Sequence, residues 1–263
     1  MRRRHLLVIA IGIFLFYSGL IEPNWIRVRT YDVAVEGLPA EEITVVHIAD
    51  VHTTKMGRRE VRTMETVNRI FPDYVFFTGD LLRAQSDIEV GLAFLSKLNA
   101  KYGVYAVLGN ADENLITAIE HGLVGKEASN YRVLMNESAD CGSFTLVGID
   151  DPVRRRDDVE EAFAGVDRSK PIFALTHFHP DRLLSRMDRI GVDIVFSGHT
   201  HGGQTGLTAL VGLVPYAYRS EYIAGLYRLD GSWLHVTRGI GTNKFPLRFL
   251  CRPEIDVFHI TGR

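Results

Sequence analysis

The chain has 263 residues, 46% hydrophobic and 24% charged, which suits one large globular α/β unit and excludes a disordered or fibrous class. Its formal net charge of −2 gives no reason to expect a nucleic-acid surface or a nucleic-acid partner. The two cysteines, Cys141 and Cys251, form no disulfide framework and no C-x-x-C, and both read as free thiols.

The first element is apolar. Arg2, Arg3 and Arg4 precede an uncharged run from Leu6 to Ile21, which Glu22 and Pro23 end. As a helix this run is about 24 Å long at ~1.5 Å per residue. That is somewhat short of the ~30 Å hydrocarbon core, a mismatch that snorkelling side chains and bilayer thinning absorb. An uncleaved signal anchor, a cleaved secretory signal and an interfacial segment compete. No clear small-x-small cleavage site follows, the run exceeds the usual signal core, and it lacks the polar face of a surface helix. Residues 1–22 are therefore expected to anchor the chain in an inner or cytoplasmic membrane. The arginines place the N-terminus in the cytoplasm. A spanning helix then puts the rest of the chain outside and an interfacial one keeps it inside, so the side stays open.

Residues 23–40 read as a linker and first strand, with Ile26, Val28, Val33 and Val35 alternating. From residue 41 to 263 one domain is expected. Apolar strands alternate with helical stripes: Val61, Met64, Val67 and Phe71; Ile88, Leu92, Leu95 and Leu98; then Leu183, Met187 and Ile190 after Pro180. Residues 222–229 and 233–237 flank Asp230-Gly231 as a hairpin, and residues 254–260 make a last strand. Near-continuous apolar strands imply sheets covered on both faces. The expected fold is α/β: two packed mixed β-sheets flanked by helices, an αββα sandwich.

Five of the apolar strands end in metal-ligand residue types. Residues 45–49 run into Asp50 and His52, and 75–78 into Gly79-Asp80. Residues 104–108 run into Gly109-Asn110, 173–176 into His177, and 194–196 into Gly198-His199-Thr200-His201. Ligands at the carboxyl ends of successive strands can converge on one crevice. Two carboxylates, one amide and four imidazoles suit Mn, Fe or Zn and are too rich in nitrogen for calcium. Seven candidates are too many for one ion and about right for two. Gly198, Gly202 and Gly203 would let the chain approach closely.

The ordered set D-x-H, G-D, G-N, H and G-H-x-H resembles that of the calcineurin-like metallophosphoesterases, over roughly residues 40–260. The nearest look is to a membrane-associated bacterial branch that includes a UDP-2,3-diacylglucosamine hydrolase. The resemblance implies two divalent metal ions: Asp50, His52 and His201 on the first, Asn110, His177 and His199 on the second, and Asp80 bridging. Asp80, Asn110 and His199 take the catalytic roles. The implied activity is hydrolysis of a phosphodiester or pyrophosphate bond, with a lipid-linked substrate such as UDP-2,3-diacylglucosamine as one candidate. A phosphomonoesterase and a non-catalytic metal-binding membrane scaffold are the alternatives.

One departure matters. The family commonly carries histidine after G-N, where this chain has Ala111. The missing general acid disfavours substrates with poor leaving groups; Asp112 or His179 are candidates to substitute, or to contact substrate or ligands. His47, His235 and His259 read as structural, and His121 as a helix-end residue. Asp150-Asp151-Pro152 reads as a turn and Arg154-Arg155-Arg156 as a solvated loop. Leu207, Leu210, Val211, Leu213, Val214 and Tyr216 read as a packed loop or, alternatively, as an apolar wall for acyl chains.

Overall fold

The computed structural model describes residues 2–83, 88–204, 220–243 and 245–263, with the side chains of residues 2 and 3 excepted. The apolar run from Leu207 to Tyr216 lies outside the described residues.

The N-terminal helix α1 (Arg2–Phe16) continues through a π-helical turn, Tyr17–Ile21, into a short 3-10 turn, Glu22–Asn24. Helical geometry thus runs through Glu22 and Pro23 rather than stopping at them. Pro23 lies in the first turn of the 3-10 segment, where its missing N–H costs nothing. Over Arg4–Asn24 the 21 residues are long and apolar enough to cross a membrane.

Twelve strands are described: β1 (Arg27–Val35), β2 (Ile43–Ile48), β3 (Tyr74–Thr78), β4 (Gly103–Val107), β5 (Tyr131–Val133), β6 (Glu137–Asp140), β7 (Thr145–Ile149), β8 (Ile172–Thr176), β9 (Ile194–Ser197), β10 (Gly225–Arg228), β11 (Trp233–Val236) and β12 (Glu254–Gly262). They form two six-stranded sheets, ordered β1-β12-β2-β3-β4-β5 and β10-β11-β9-β8-β7-β6. Both are mixed. β2 through β5 are parallel, while β12 runs antiparallel to β2 and parallel to β1. In the second sheet β7, β8, β9 and β11 are parallel and β6 and β10 are antiparallel edges.

Helices α2 (Arg58–Ile70), α3 (Ile88–Leu95) and α4 (Glu113–Glu120) cover the first sheet; α5 (Val159–Ala162) and α6 (Asp181–Ile190) cover the second. Three apolar layers result. Val46, Ile48, Val75 and Phe77 face α2 and α3, with Met64, Val67, Phe94 and Leu95. Phe76, Phe173, Phe196 and Phe258 fill the space between the sheets. Ala174, Val195 and Val236 pack on Leu183 and Met187 of α6. Burial on both faces explains why the central strands are apolar throughout rather than alternating.

One stripe is narrower than its sequence period suggests. Met64 and Val67 are buried, but Val61 is exposed and Phe71 is 63% exposed. Phe71 takes the left-handed conformation that ends α2, at φ 50°, and this turns its side chain away from the core.

Candidate metal centre

The strands β2, β3, β4, β8 and β9 point their carboxyl ends the same way, so the loops after them meet at one rim between the two sheets. Short backbone bonds extend the pairing into these loops. The N–H of Asp50 donates to Gly79 O at 2.9 Å, that of His52 to Asp80 O at 3.0 Å, and that of Gly198 to His177 O at 3.0 Å.

Two groups of ligand atoms form there. Asp50, His52, Asp80 and His201 make one, and Asp80, His177 and His199 make the other, with the ligand atoms of each group within 4.8 Å of one another. Asp80 is common to both. Its Oδ2 lies 3.3 Å from His52 Nε2 and its Oδ1 lies 3.3 Å from His177 Nε2. His201 Nε2 is 3.1 Å from His52 Nε2 and 3.5 Å from Asp50 Oδ1, and His199 Nδ1 is 3.1 Å from His177 Nε2. Nitrogen ligands at ~2.0–2.1 Å from one tetrahedral or octahedral ion lie roughly 3 Å apart, so these spacings suit shared coordination. Asn110 follows β4 at the same rim, and its Oδ1 is buried without a hydrogen-bond partner, as is His201 Nδ1. The donor set therefore fits two divalent cations.

The neighbours of the rings fix which nitrogen is presented. His177 Nδ1 donates to Thr78 O at 2.8 Å and His52 Nδ1 to Leu82 O at 3.2 Å. A carbonyl can only accept, so both rings keep Nε2 for the cluster. Burial holds His52 and His201 below the usual histidine range and His199 at about 3. His177 behaves oppositely. Burial disfavours its charge, but Asp80, Asp50 and Asp151 outweigh it and lift it to about 10. Burial, with Asp80 adding repulsion, raises Asp50 to about 7. The clustered carboxylates thus favour positive charge at this rim.

The local backbone is strained where the ligands sit. Ten described non-glycine residues have positive φ, and Asp50, His52, Asp80, His199 and His201 are five of them, at 47° to 70°. Such conformations cost of order 1–3 kcal/mol each and persist where surrounding structure over-determines them. Gly79 and Gly109 make the close approach feasible. A Cβ on Gly79 would lie 2.7 Å from His177 Nδ1, and one on Gly109 would lie 2.4 Å from Asp80 Oδ1.

Asp112 and His179 sit behind this rim rather than in it. Both are fully buried. Asp112 accepts from the N–H groups of Leu81, Leu82 and Gly109, tying the loop after β3 to the loop after β4. His179 spends Nδ1 on Ser197 and Nε2 on Ser220 and Tyr222 O; Ser197 in turn donates to His177 O. Their polar atoms are bonded to the chain, and the N–H of Ala111 bonds Asp80 Oδ1 at 2.8 Å.

Arg154 and Arg156 are ion-paired, while Arg155 is exposed. Arg154 pairs with Glu113 and donates to Asn110 O at 3.1 Å, while Arg156 pairs with Asp150 and Glu120. Arg248 supports the rim from behind. It is fully buried and donates to the carbonyls of Arg238, Gly239, Gly241 and Cys251. Those contacts hold the 238–241 loop, whose Gly241 N–H donates to Asp50 O at 2.6 Å. A lone arginine in a loop carries no sequence signal for such burial.

The profile of the calcineurin-like phosphoesterase family matches residues 43–203, more than half of the chain. The chain belongs to that family. The Bacillus subtilis metallophosphoesterase YkuE is 29% identical over 92% of this chain and 88% of its own length. An Aquifex aeolicus metallophosphoesterase is 29% identical over 94% of this chain and 96% of its own. A Danio rerio transmembrane protein with a metallophosphoesterase domain is 30% identical over 87% of this chain and 56% of its own. This calcineurin-like phosphoesterase is a hydrolase with a buried His/Asp site of dinuclear type.

Proposed function

We propose that this metallophosphoesterase hydrolyses phosphodiester or pyrophosphate bonds, and that its substrate is linked to lipid. Asp80 carries the reading, because one carboxylate stands in both ligand groups and would bridge two ions. Asp50, His52 and His201 would hold one ion; Asn110, His177 and His199 would hold the other. When bound, such a pair supplies charge that polarises a phosphoryl group and acidifies water. Manganese, iron or zinc all suit these donors.

The chain's own groups do the positioning. Thr78 O and Leu82 O orient His177 and His52 through their Nδ1–H groups. Half-buried His199 and Asn110 lie at the open side, where a substrate would enter. Ala111 brings no side-chain acid there, which favours an ester whose leaving group departs without protonation.

The lipid link is supported by where the apolar helix ends. Glu22, at its foot, is fully buried and accepts from the N–H groups of Leu250 and Cys251. Cys251 Sγ then donates to the carbonyl of ligand candidate His201 at 3.2 Å. Trp25, Phe245 and Leu250 are 50%, 73% and 61% exposed near this foot. Interfacial residues of this kind suit a membrane surface. We take residues 1–22 as a membrane anchor, residues 41–263 as the catalytic domain, and the substrate as an amphiphile presented at the bilayer.

The test is a rate comparison on full-length protein with added Mn. Bis-p-nitrophenyl phosphate is expected to turn over faster than p-nitrophenyl phosphate, and Asp80→Asn to lower the diester rate by at least ~10³-fold. Preference for the monoester would overturn the bond class. No turnover with any divalent ion in folded, metal-loaded protein would point to a scaffold.

A further inference from the structure

A cavity lies at the foot of the apolar helix, beside the first turns of α2. It measures about 670 Å³ and is lined by Leu20, Asn24, Arg58, Arg59, Val61, Arg62 and Glu65. Three guanidinium groups thus face one carboxylate, beside apolar surface from the helix and from Val61. We infer that this cavity binds the phosphate headgroup of an anionic phospholipid. The inference rests on the membrane-anchor reading above.

Charge placement is the first argument. Arg58 and Arg59 open α2, whose first turn already presents the positive end of the helix dipole. Cations at that end are unfavourable in the absence of an anion. Glu60, the acid of that turn, is turned inward: it accepts from the Gly57 N–H at 3.1 Å and from Arg59 at 2.8 Å. Arg58 and Arg62 are exposed and make no ion pair among the described residues. Arg59 Nε is buried without a partner. The site holds unused donors and uncompensated positive charge together.

Position is the second argument. Leu20 is 62% exposed on the last turns of the apolar helix, and Asn24 closes that helix by donating to Leu20 O at 2.9 Å. A lipid lying along the helix would bring its headgroup to this level. Basic pockets beside membrane helices are suited to anionic headgroups. One lining residue, Arg59, also touches the metal rim. Arg59 Nη2 lies 3.4 Å from Val51 O, between ligand candidates Asp50 and His52. A bound headgroup would register the rim against the bilayer.

The test uses detergent-solubilised full-length protein and native mass spectrometry with equal amounts of phosphatidylglycerol and phosphatidylcholine. Wild type is expected to retain phosphatidylglycerol about thirtyfold over phosphatidylcholine, as two surface arginines predict. Arg58→Ala with Arg62→Ala is expected to abolish that preference, and Arg62→Lys to keep it. The double variant should hydrolyse bis-p-nitrophenyl phosphate at the wild-type rate, which also shows that it folds. Equal retention of both lipids, an unchanged preference in the double variant, or full displacement by millimolar inorganic phosphate would overturn the inference. Flotation on pure phosphatidylcholine vesicles separates the two readings. A chain that floats without headgroup preference sinks only this site; a chain that does not float sinks the anchor and this site with it.

Discussion

Asp80 shows how much rests on single residues. It is 3% exposed, holds a left-handed backbone at φ 55°, accepts from Ala111 N–H, and faces His52 and His177 on its two oxygens. The residue types after each strand were legible because every ligand candidate directly follows an apolar run. Their burial and protonation were not, since both depend on neighbours brought from the opposite sheet. The charge imbalance gives a pH prediction. Without metal, His177 is lifted to about 10 and Asp50 to about 7, so both carry protons at pH 6. Metal binding must displace those protons, so affinity should rise with pH between 6 and 8. Titration calorimetry of metal-free protein with Mn should show tighter binding and proton release; an affinity flat across that range would contradict the charge assignment.

At the scale of elements, the strand ends do the gathering and the loops do the bracing. The alternation of β and α was legible from periodicity, as were the hairpin between β10 and β11 and the start of α6. The link from the apolar helix to the rim was not. In sequence Glu22 reads as the residue that ends an apolar run, and its partners Leu250 and Cys251 lie more than two hundred positions away. A buried carboxylate accepting two N–H groups is costly to remove. Glu22→Ala strands both donors, an expected loss of about 2–6 kcal/mol at ~1–3 kcal/mol per buried unsatisfied group. Because the loop it holds contacts His201, metal affinity should fall as well. Chemical denaturation and Mn titration of Glu22→Ala and Glu22→Gln would check both. Wild-type stability and affinity in Glu22→Ala would show that the helix foot does not brace the rim.

The whole molecule is a sandwich whose inner layer contains a polar seam. His47 of β2 and His235 of β11 read as separate structural histidines, yet their Nδ1 atoms meet at 2.8 Å across the two sheets. Contact between residues 188 positions apart has no local signal. Together they stitch the sheets, with His47 Nε2 on Thr78 Oγ1 at 2.8 Å, and with Asp256 they form a further buried group of ligand-type atoms. Burial lowers His47 to about 3, so it stays neutral in the fold while the unfolded chain protonates below about 6.5. The unfolded state therefore binds more protons, and stability falls as pH drops from 6.5 toward 3. The slope is about 1.4 kcal/mol per pH unit for this group. His47→Gln should remove that share, giving a shallower acid limb in denaturant titrations. A wild-type limb no steeper than the variant's would mean that His47 is charged in the fold.

All of these scales converge on one claim, that Asp80 joins two cation sites at the rim between the sheets. Anomalous diffraction from crystals of the full chain grown with Mn tests it most directly. Two peaks are expected, both within coordination distance of Asp80, one shared with His52 and His201 and the other with His177 and His199. A single peak, or two that do not share Asp80, would contradict it.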